Sequence, residues 1–149
     1  MYSNILIPTD GSQLAEQAVG KGIDLARALG ARVTVVTVVE PFEVMRHFAT
    51  ADHAQLSETY ATYAREAEAH AAKVLENAAA RAAAADVTVE TSRVESGYPY
   101  DAIVRTAEES GCDLIVMSSH GRKGVAAVLV GSETMKVLTH SKIPVLVLR

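Results

Sequence analysis

Apolar residues gather into five short runs along this chain, and the stretches between them follow a different period. Asn4–Pro8 (NILIP) and Leu114–Ser118 (LIVMS) are almost wholly apolar, the pattern of strands buried on both faces. Arg32–Val39 (RVTVVTVV) is rich in β-branched residues and reads as a strand of the same kind. Residues 87–94 (VTVETSRV) alternate instead, with Val87, Val89 and Thr91 set against polar partners, which predicts a half-exposed or edge strand. Val145–Leu148 (VLVL), preceded by Pro144, is the last run.

Helical spacing fills the gaps. Thr9-Asp10-Gly11-Ser12 is a turn by composition, Ser12 takes the N-cap position with Glu16 close behind, and a helix follows to about Leu29. Its apolar positions are Leu14, Ala18, Ile23, Ala26 and Leu29, Gly20 and Gly22 point to close packing, and Gly30 is the stop. Residues 42–53 have no period and read as an irregular loop. Residues 54–85 are alanine-rich and free of Gly and Pro. The thin stripe of Leu56, Tyr60, Tyr63, Ala67, Val74 and Ala78 predicts a long helix packed through small residues, too poor in large ones for a coiled-coil seam. A short helix is expected over 100–110, with Ile103, Val104 and Ala107 facing inward. Another runs from Ser132, in the N-cap position, to about His140. Strands and helices therefore alternate throughout, which implies one α/β domain over 1–149: a mostly parallel, doubly wound sheet with helices on both faces.

Composition narrows the function. At 149 residues the chain can bury a substantial core, and its net charge of -4 argues against general nucleic-acid binding. No apolar run approaches the ~18–20 residues of a membrane span. Met1-Tyr2-Ser3-Asn4 lacks a basic region, so no secretory signal is expected and the cytoplasm is the expected compartment. The single Cys112 excludes an internal disulfide framework and reads as a small buried residue.

In open α/β sheets ligands bind beyond the carboxyl ends of the strands, where the winding reverses. Two strand ends carry unusual chemistry, Pro8-Thr9-Asp10 and Ser118-Ser119-His120-Gly121. Nine residues after Gly121 come Gly131-Ser132, with Glu133 adding a negative charge to the first helical turn. A glycine loop leading into a helix N-terminus makes a phosphate cradle, and glycine at 131 suits both a close backbone approach and a positive φ. Gly131 also suits a plain turn. The P-loop and dinucleotide fingerprints are both missing. Asp10 suits an ordinary turn or a carboxylate accepting from adenine or ribose. His120 has no triad partner placed by spacing, and loop hydrogen bonding is its expected role. Arg122 and Lys123 suit phosphate screening or plain solubility. His47, His53, His70 and His140 lack metal-site spacing, so neither a catalytic residue nor a protein-held metal is expected.

The chain resembles the nucleotide-binding branch of the universal stress protein family from end to end. ILIPTDGS, SSHGRKG, GSETMKVLTHS and the terminal PVLVLR carry the likeness. That branch has the pattern G-x2-G-x9-G-[ST], and Gly121, Gly131 and Ser132 match it, while Ser118 stands at the first glycine. The resemblance implies a Rossmann-like five-stranded sheet of order 3-2-1-4-5, with the switch point between strands one and four. It implies a stress-response or signalling module with ATP as ligand, and Mg2+ or Mn2+ held through the phosphates. Pro8, Thr9 and Asp10 would meet adenine and ribose, and Val38 would line the base. Met117, Ser118, Ser119, His120 and Gly121 would run under ribose and phosphates. Gly131, Ser132, Glu133 and Thr134 would hold the phosphates. The serine at 118 implies weakened binding. The resemblance further implies a cytoplasmic homodimer, joined through the apolar last strand at the sheet edge. Slow ATP hydrolysis or phosphotransfer is a rival reading. A dimeric interaction protein that has lost nucleotide binding is another, resting on Ser118.

Overall fold

The structure, a computed structural model, describes residues 1–42, 53–121 and 130–149. The loop expected at 42–53 and the pair Arg122 and Lys123 lie outside these, apart from Phe42 and His53. Along the chain come β1 (Asn4–Pro8), α1 (Gln13–Leu29), β2 (Arg32–Val39), α2 (His53–Ala84), β3 (Val89–Glu95), α3 (Pro99–Glu109), β4 (Leu114–Ser118), α4 (Ser132–His140) and β5 (Val145–Leu148). The five strands form one sheet of order β3-β2-β1-β4-β5, every neighbouring pair parallel. The expected fold class and strand order are therefore observed, and β3 is an edge.

Two cores flank the sheet. On one face Ile5 and Ile7 of β1 and Val33 and Val35 of β2 pack with Val19, Ile23 and Ala26 of α1 and Ala78 and Ala82 of α2. On the other, Leu6, Val36, Ile115 and Met117 meet Ile103, Val104 and Ala107 of α3 and Val137 of α4. Of the expected inward positions of α1, Ala18, Ile23 and Ala26 are buried, joined by Ala15, Val19 and Gly22, while Leu29 is exposed. Gly22 packs on the side chain of Ile7, where a Cβ would stand 2.5 Å from its Cδ1. Among the described side chains of α2 the buried ones, Ala71, Val74, Ala78 and Ala82, lie in its C-terminal half, and Tyr60 of the expected stripe is exposed. At 32 residues α2 is about 48 Å long, well over the length of any strand it crosses.

Three helices end alike, in a left-handed residue at Gly30, Asp86 and Gly111. After each, the next N–H reaches back along the helix: Ala31 to Ala26 O, Val87 to Ala82 O, Cys112 to Ala107 O. This corrects the third strand. The Val87 N–H is committed to the end of α2, so the β3 ladder begins at Val89 rather than at 87.

The amino ends of β1 and β4 are locked together. The Asp113 carboxylate accepts from the Ser3 and Asn4 N–H groups and from Ser3 Oγ (2.7–3.1 Å). Asn4, fully buried, donates through Nδ2 to Ser110 O and accepts from Thr34 Oγ1. Partial burial pushes the Asp113 carboxyl up, but the hydrogen bonds from Ser3 and Asn4 outweigh it and hold it below its usual range. A depressed carboxylate adds stability above its unfolded value near 3.8, and that stability disappears as pH falls through the folded value. Asp113→Ala should cost about 1–2 kcal/mol at pH 7 by urea unfolding, solvent screening holding the loss below that of a fully buried group. The gap from wild type should narrow below roughly pH 4. A gap independent of pH would show that the carboxylate charge plays no part.

Candidate functional site

The winding reverses between β1 and β4, and their carboxyl ends bring the two sequence-selected segments together. Beyond β1, the Thr9 N–H still pairs with Val36 O (2.9 Å), which holds the turn against β2. Thr9 Oγ1 accepts from the Gly11 N–H and donates to Glu16 Oε1, both at 3.2 Å. Asp10 Oδ1 accepts from the Ser12 N–H at 3.0 Å, and Ser12 Oγ caps α1 through the Ala15 N–H, as its sequence position predicts. Val38, near the end of β2, is half-buried against the α3 and α4 side of the sheet.

Beyond β4 the chain folds onto itself. Ser118 Oγ donates to His120 O at 2.7 Å, and Ser119 Oγ lies 3.0 Å from His120 Nδ1, the loop-holding role expected of His120. The Ser119 N–H donates to Leu148 O, tying this loop to β5. The Gly131 N–H returns to Ser119 O at 2.7 Å, and Thr134 Oγ1 donates to the Ser118 and Ser119 carbonyls. These contacts seat the N-terminus of α4 over the end of β4. Ser118, Ser119 and Thr134 are buried, as is Thr9 across the switch.

The two motif glycines are needed for space. A Cβ on Gly121 would stand 2.6 Å from Asp10 Oδ2, so the carboxylate of the β1 turn lies directly on the β4 loop. A Cβ on Gly131 would stand 3.1 Å from Ser119 O and 3.5 Å from His120 Cα. Gly131 has φ -62 and ψ 154, so the expectation of a positive φ there is corrected: crowding, not backbone sign, restricts the position. Gly131 is also the N-cap in place of Ser132, which becomes the first helical residue. A glycine cap has no side chain to satisfy the first-turn amides, so Ser132, Glu133 and Thr134 present N–H groups without an acceptor inside the helix.

Some parts of the site have no local signature in the sequence. The Glu133 carboxylate turns toward α3, accepting from the Tyr100 N–H (3.0 Å) and Lys136 Nζ (2.9 Å), and so caps a helix whose own N-cap, Tyr98, offers no side chain. His70 of α2 reaches the Asp10 carbonyl (3.1 Å). Its only sequence signal is one imidazole four positions before Val74 on an alanine stripe. Cys112 is buried, which raises its thiol pKa, and it stands apart from this crevice, near the start of β4.

Comparison with known proteins places these features in context. The model of the Universal stress protein family matches residues 1–149. A universal stress protein of Methanocaldococcus jannaschii is 31% identical, covering 100% of this chain and 83% of that protein. The solved structure of the hypothetical protein MJ0577 superposes with a TM-score of 0.78 at 29% identity, covering 99% of this chain and 96% of that one. A universal stress protein solved in complex with cAMP gives 0.68 at 26% identity, over 99% of this chain and 97% of that one.

The contact between the two turns can be tested directly. Gly121→Ala should push the Asp10 carboxylate away and break its bond to Ser12. Losing one hydrogen bond of about 0.5–1.5 kcal/mol predicts a several-fold rise in Ser12 amide exchange, read by NMR, with urea stability changed by no more than that amount. Unchanged Ser12 exchange would mean that the carboxylate does not rest on Gly121.

Proposed function

The chain belongs to the universal stress protein family, and from that premise we propose that it is a stress-response module that binds ATP in the crevice between β1 and β4. The observation that carries the reading is the crowding at Gly121 and Gly131. Both lie where a side chain would fill the crevice, one against Asp10 Oδ2 and one against Ser119 O. Backbone N–H groups reach a phosphate at about 2.7–3.2 Å only where no side chain intervenes, and the partial positive charge of a helix N-terminus favours an anion there. The relative in complex with cAMP supports an adenine nucleotide as the ligand class.

In this reading Pro8, Thr9 and Asp10 meet adenine and ribose, and Val38 lines the base. Residues 117–121 run under the ribose and phosphates. Ser132, Glu133 and Thr134 offer backbone N–H groups to the phosphates, since the Glu133 carboxylate and the Thr134 hydroxyl are already engaged, and Gly131, whose own N–H is bound to Ser119 O, contributes the space its missing side chain leaves. Ser118 folds its hydroxyl onto His120 O, within the loop, and so weakens binding without closing the site. Among the described residues no group of three or more His, Cys, Asp or Glu could hold a metal. Mg2+ or Mn2+ is held through the phosphates in this reading. Turnover is expected to be slow, well below the ~1–100 s⁻¹ of kinases, and the protein acts through occupancy. No described helix is long and apolar enough to cross a membrane, and a cytoplasmic place of action is part of the proposal.

Assembly belongs to the same proposal. β5 is a sheet edge of four residues with Leu146 exposed, and bare apolar edges invite pairing. Two copies are expected to join antiparallel through β5 about a two-fold axis. Light scattering at micromolar concentration should give a dimer that is lost when residues 145–149 are removed from a protein that still folds. A monomeric wild type would refute this arrangement.

Calorimetric titration of nucleotide-free protein with Mg-ATP tests the ligand. Asp10→Ala should lower affinity roughly ten- to hundredfold, the equivalent of about 1.5–3 kcal/mol for a charged hydrogen bond. Gly131→Val should weaken binding strongly, because the added side chain meets Ser119 O and His120. Urea unfolding of Asp10→Ala separates this from loss of the Ser12 turn. No binding by the wild type at millimolar ATP would overturn the reading, and binding indifferent to both substitutions would move the nucleotide elsewhere.

A further inference from the structure

We propose that His70, on the long helix α2, is a positioning residue of this crevice: it fixes the peptide group between Asp10 and Gly11, and through it the direction of the Asp10 carboxylate. The proposal rests on the nucleotide reading given above, with Asp10 as its base- and ribose-side contact.

His70 Nε2 lies 3.1 Å from the Asp10 carbonyl oxygen. A carbonyl only accepts, so Nε2 carries the proton and donates. The opposite pole of the same peptide, the Gly11 N–H, donates to Thr9 Oγ1 at 3.2 Å, and the Thr9 hydroxyl donates onward to Glu16 Oε1. One peptide plane is thus held at both poles, by a residue of α2 and by a residue of its own turn.

That plane needs holding. Gly11 has φ +77, and glycine accepts either sign of φ, so the plane can invert with little steric resistance. Inversion would carry the Gly11 N–H away from Thr9. It would also disturb the turn in which Asp10 Oδ1 accepts from the Ser12 N–H, because that bond spans the same peptide. Asp10 Oδ2 would then lose its place on Gly121.

The packing around Gly11 brings α2 close enough to act. An ideal Cβ there would stand 2.6 Å from Val74 Cγ2 and 3.2 Å from His70 Cε1 and Nε2. His70 and Val74 are one turn apart on the same face of α2, so the helix seats on a bare glycine and presents its imidazole to the neighbouring carbonyl. Residues 57–69 of α2 are mostly exposed and the stretch after His70 carries the buried residues, so His70 marks the level at which the helix meets the crevice.

His70→Leu removes the donor, and His70→Gln returns an amide N–H able to reach the same carbonyl. The readouts are Mg-ATP affinity by calorimetry, Gly11 amide exchange by NMR and urea stability. His70→Leu is expected to lower affinity about three- to tenfold and to raise Gly11 exchange by a similar factor, and His70→Gln to restore both to within about twofold of wild type. Equal losses in the two variants would assign the effect to ring packing and overturn the proposal. Wild-type affinity and Gly11 exchange in His70→Leu would overturn it as well. If the wild type binds no ATP, the nucleotide reading fails by itself, and Gly11 exchange still decides whether His70 holds the peptide. His70→Phe, which keeps a ring and removes the donor, takes the place of the leucine variant should that one not fold.

Discussion

The hydrogen bond from the Gly131 N–H to the Ser119 carbonyl holds the start of α4 over the end of β4, and the crevice depends on it. The bond is short, at 2.7 Å, and it closes the loop between the strand and the helix. A side chain at Gly131 would crowd the acceptor of that bond, and one at Gly121 would crowd the Asp10 carboxylate. Two residues without a Cβ thus let the turns after β1 and β4 and the start of α4 come together, and a glycine cap brings no side chain to the first-turn amides of α4.

The two ends of the sheet do different work. At the amino end, Asn4, Asp113 and Thr34 interlock, and three helices close with backbone bonds that satisfy carbonyls of their last turns. At the carboxyl end, the turns after β1 and β4 are held by side-chain bonds from Thr9, Ser118 and Thr134, and the helix that follows β4 begins without a side-chain cap. Both ends are tied across elements, the amino end through Asn4, Thr34 and Asp113, and the open end through Val36 O, Leu148 O and His70 as well as through bonds within its own turns.

Much of this was legible in the sequence, for physical reasons. Buried parallel strands are continuous apolar runs, and β1, β2, β4 and β5 have the bounds read from theirs. Gly30 ends α1 in the left-handed conformation that glycine adopts freely, but Asp86 ends α2 in the same way without that signal, and β3 starts two residues later than its apolar alternation. That the turns after β1 and β4 would meet was legible because alternating strands and helices imply a parallel sheet whose winding reverses, and the observed strand order puts that reversal between these two strands. The cap position was not, since Ser132 is the better capping residue and tertiary crowding placed Gly131 there instead. His70 and the inward turn of Glu133 depend on contacts 60 and 33 positions apart, which no local pattern encodes.

The most direct measurement is the map of amide shifts when Mg-ATP is added to ¹⁵N-labelled protein. The account predicts shifts at Asp10, Gly121, Ser132 and Thr134, around the carboxyl ends of β1 and β4, with Asn4, Gly30 and Asp113 at the other end of the sheet unmoved. Shifts confined to the amino end, or none at saturating nucleotide, would contradict it.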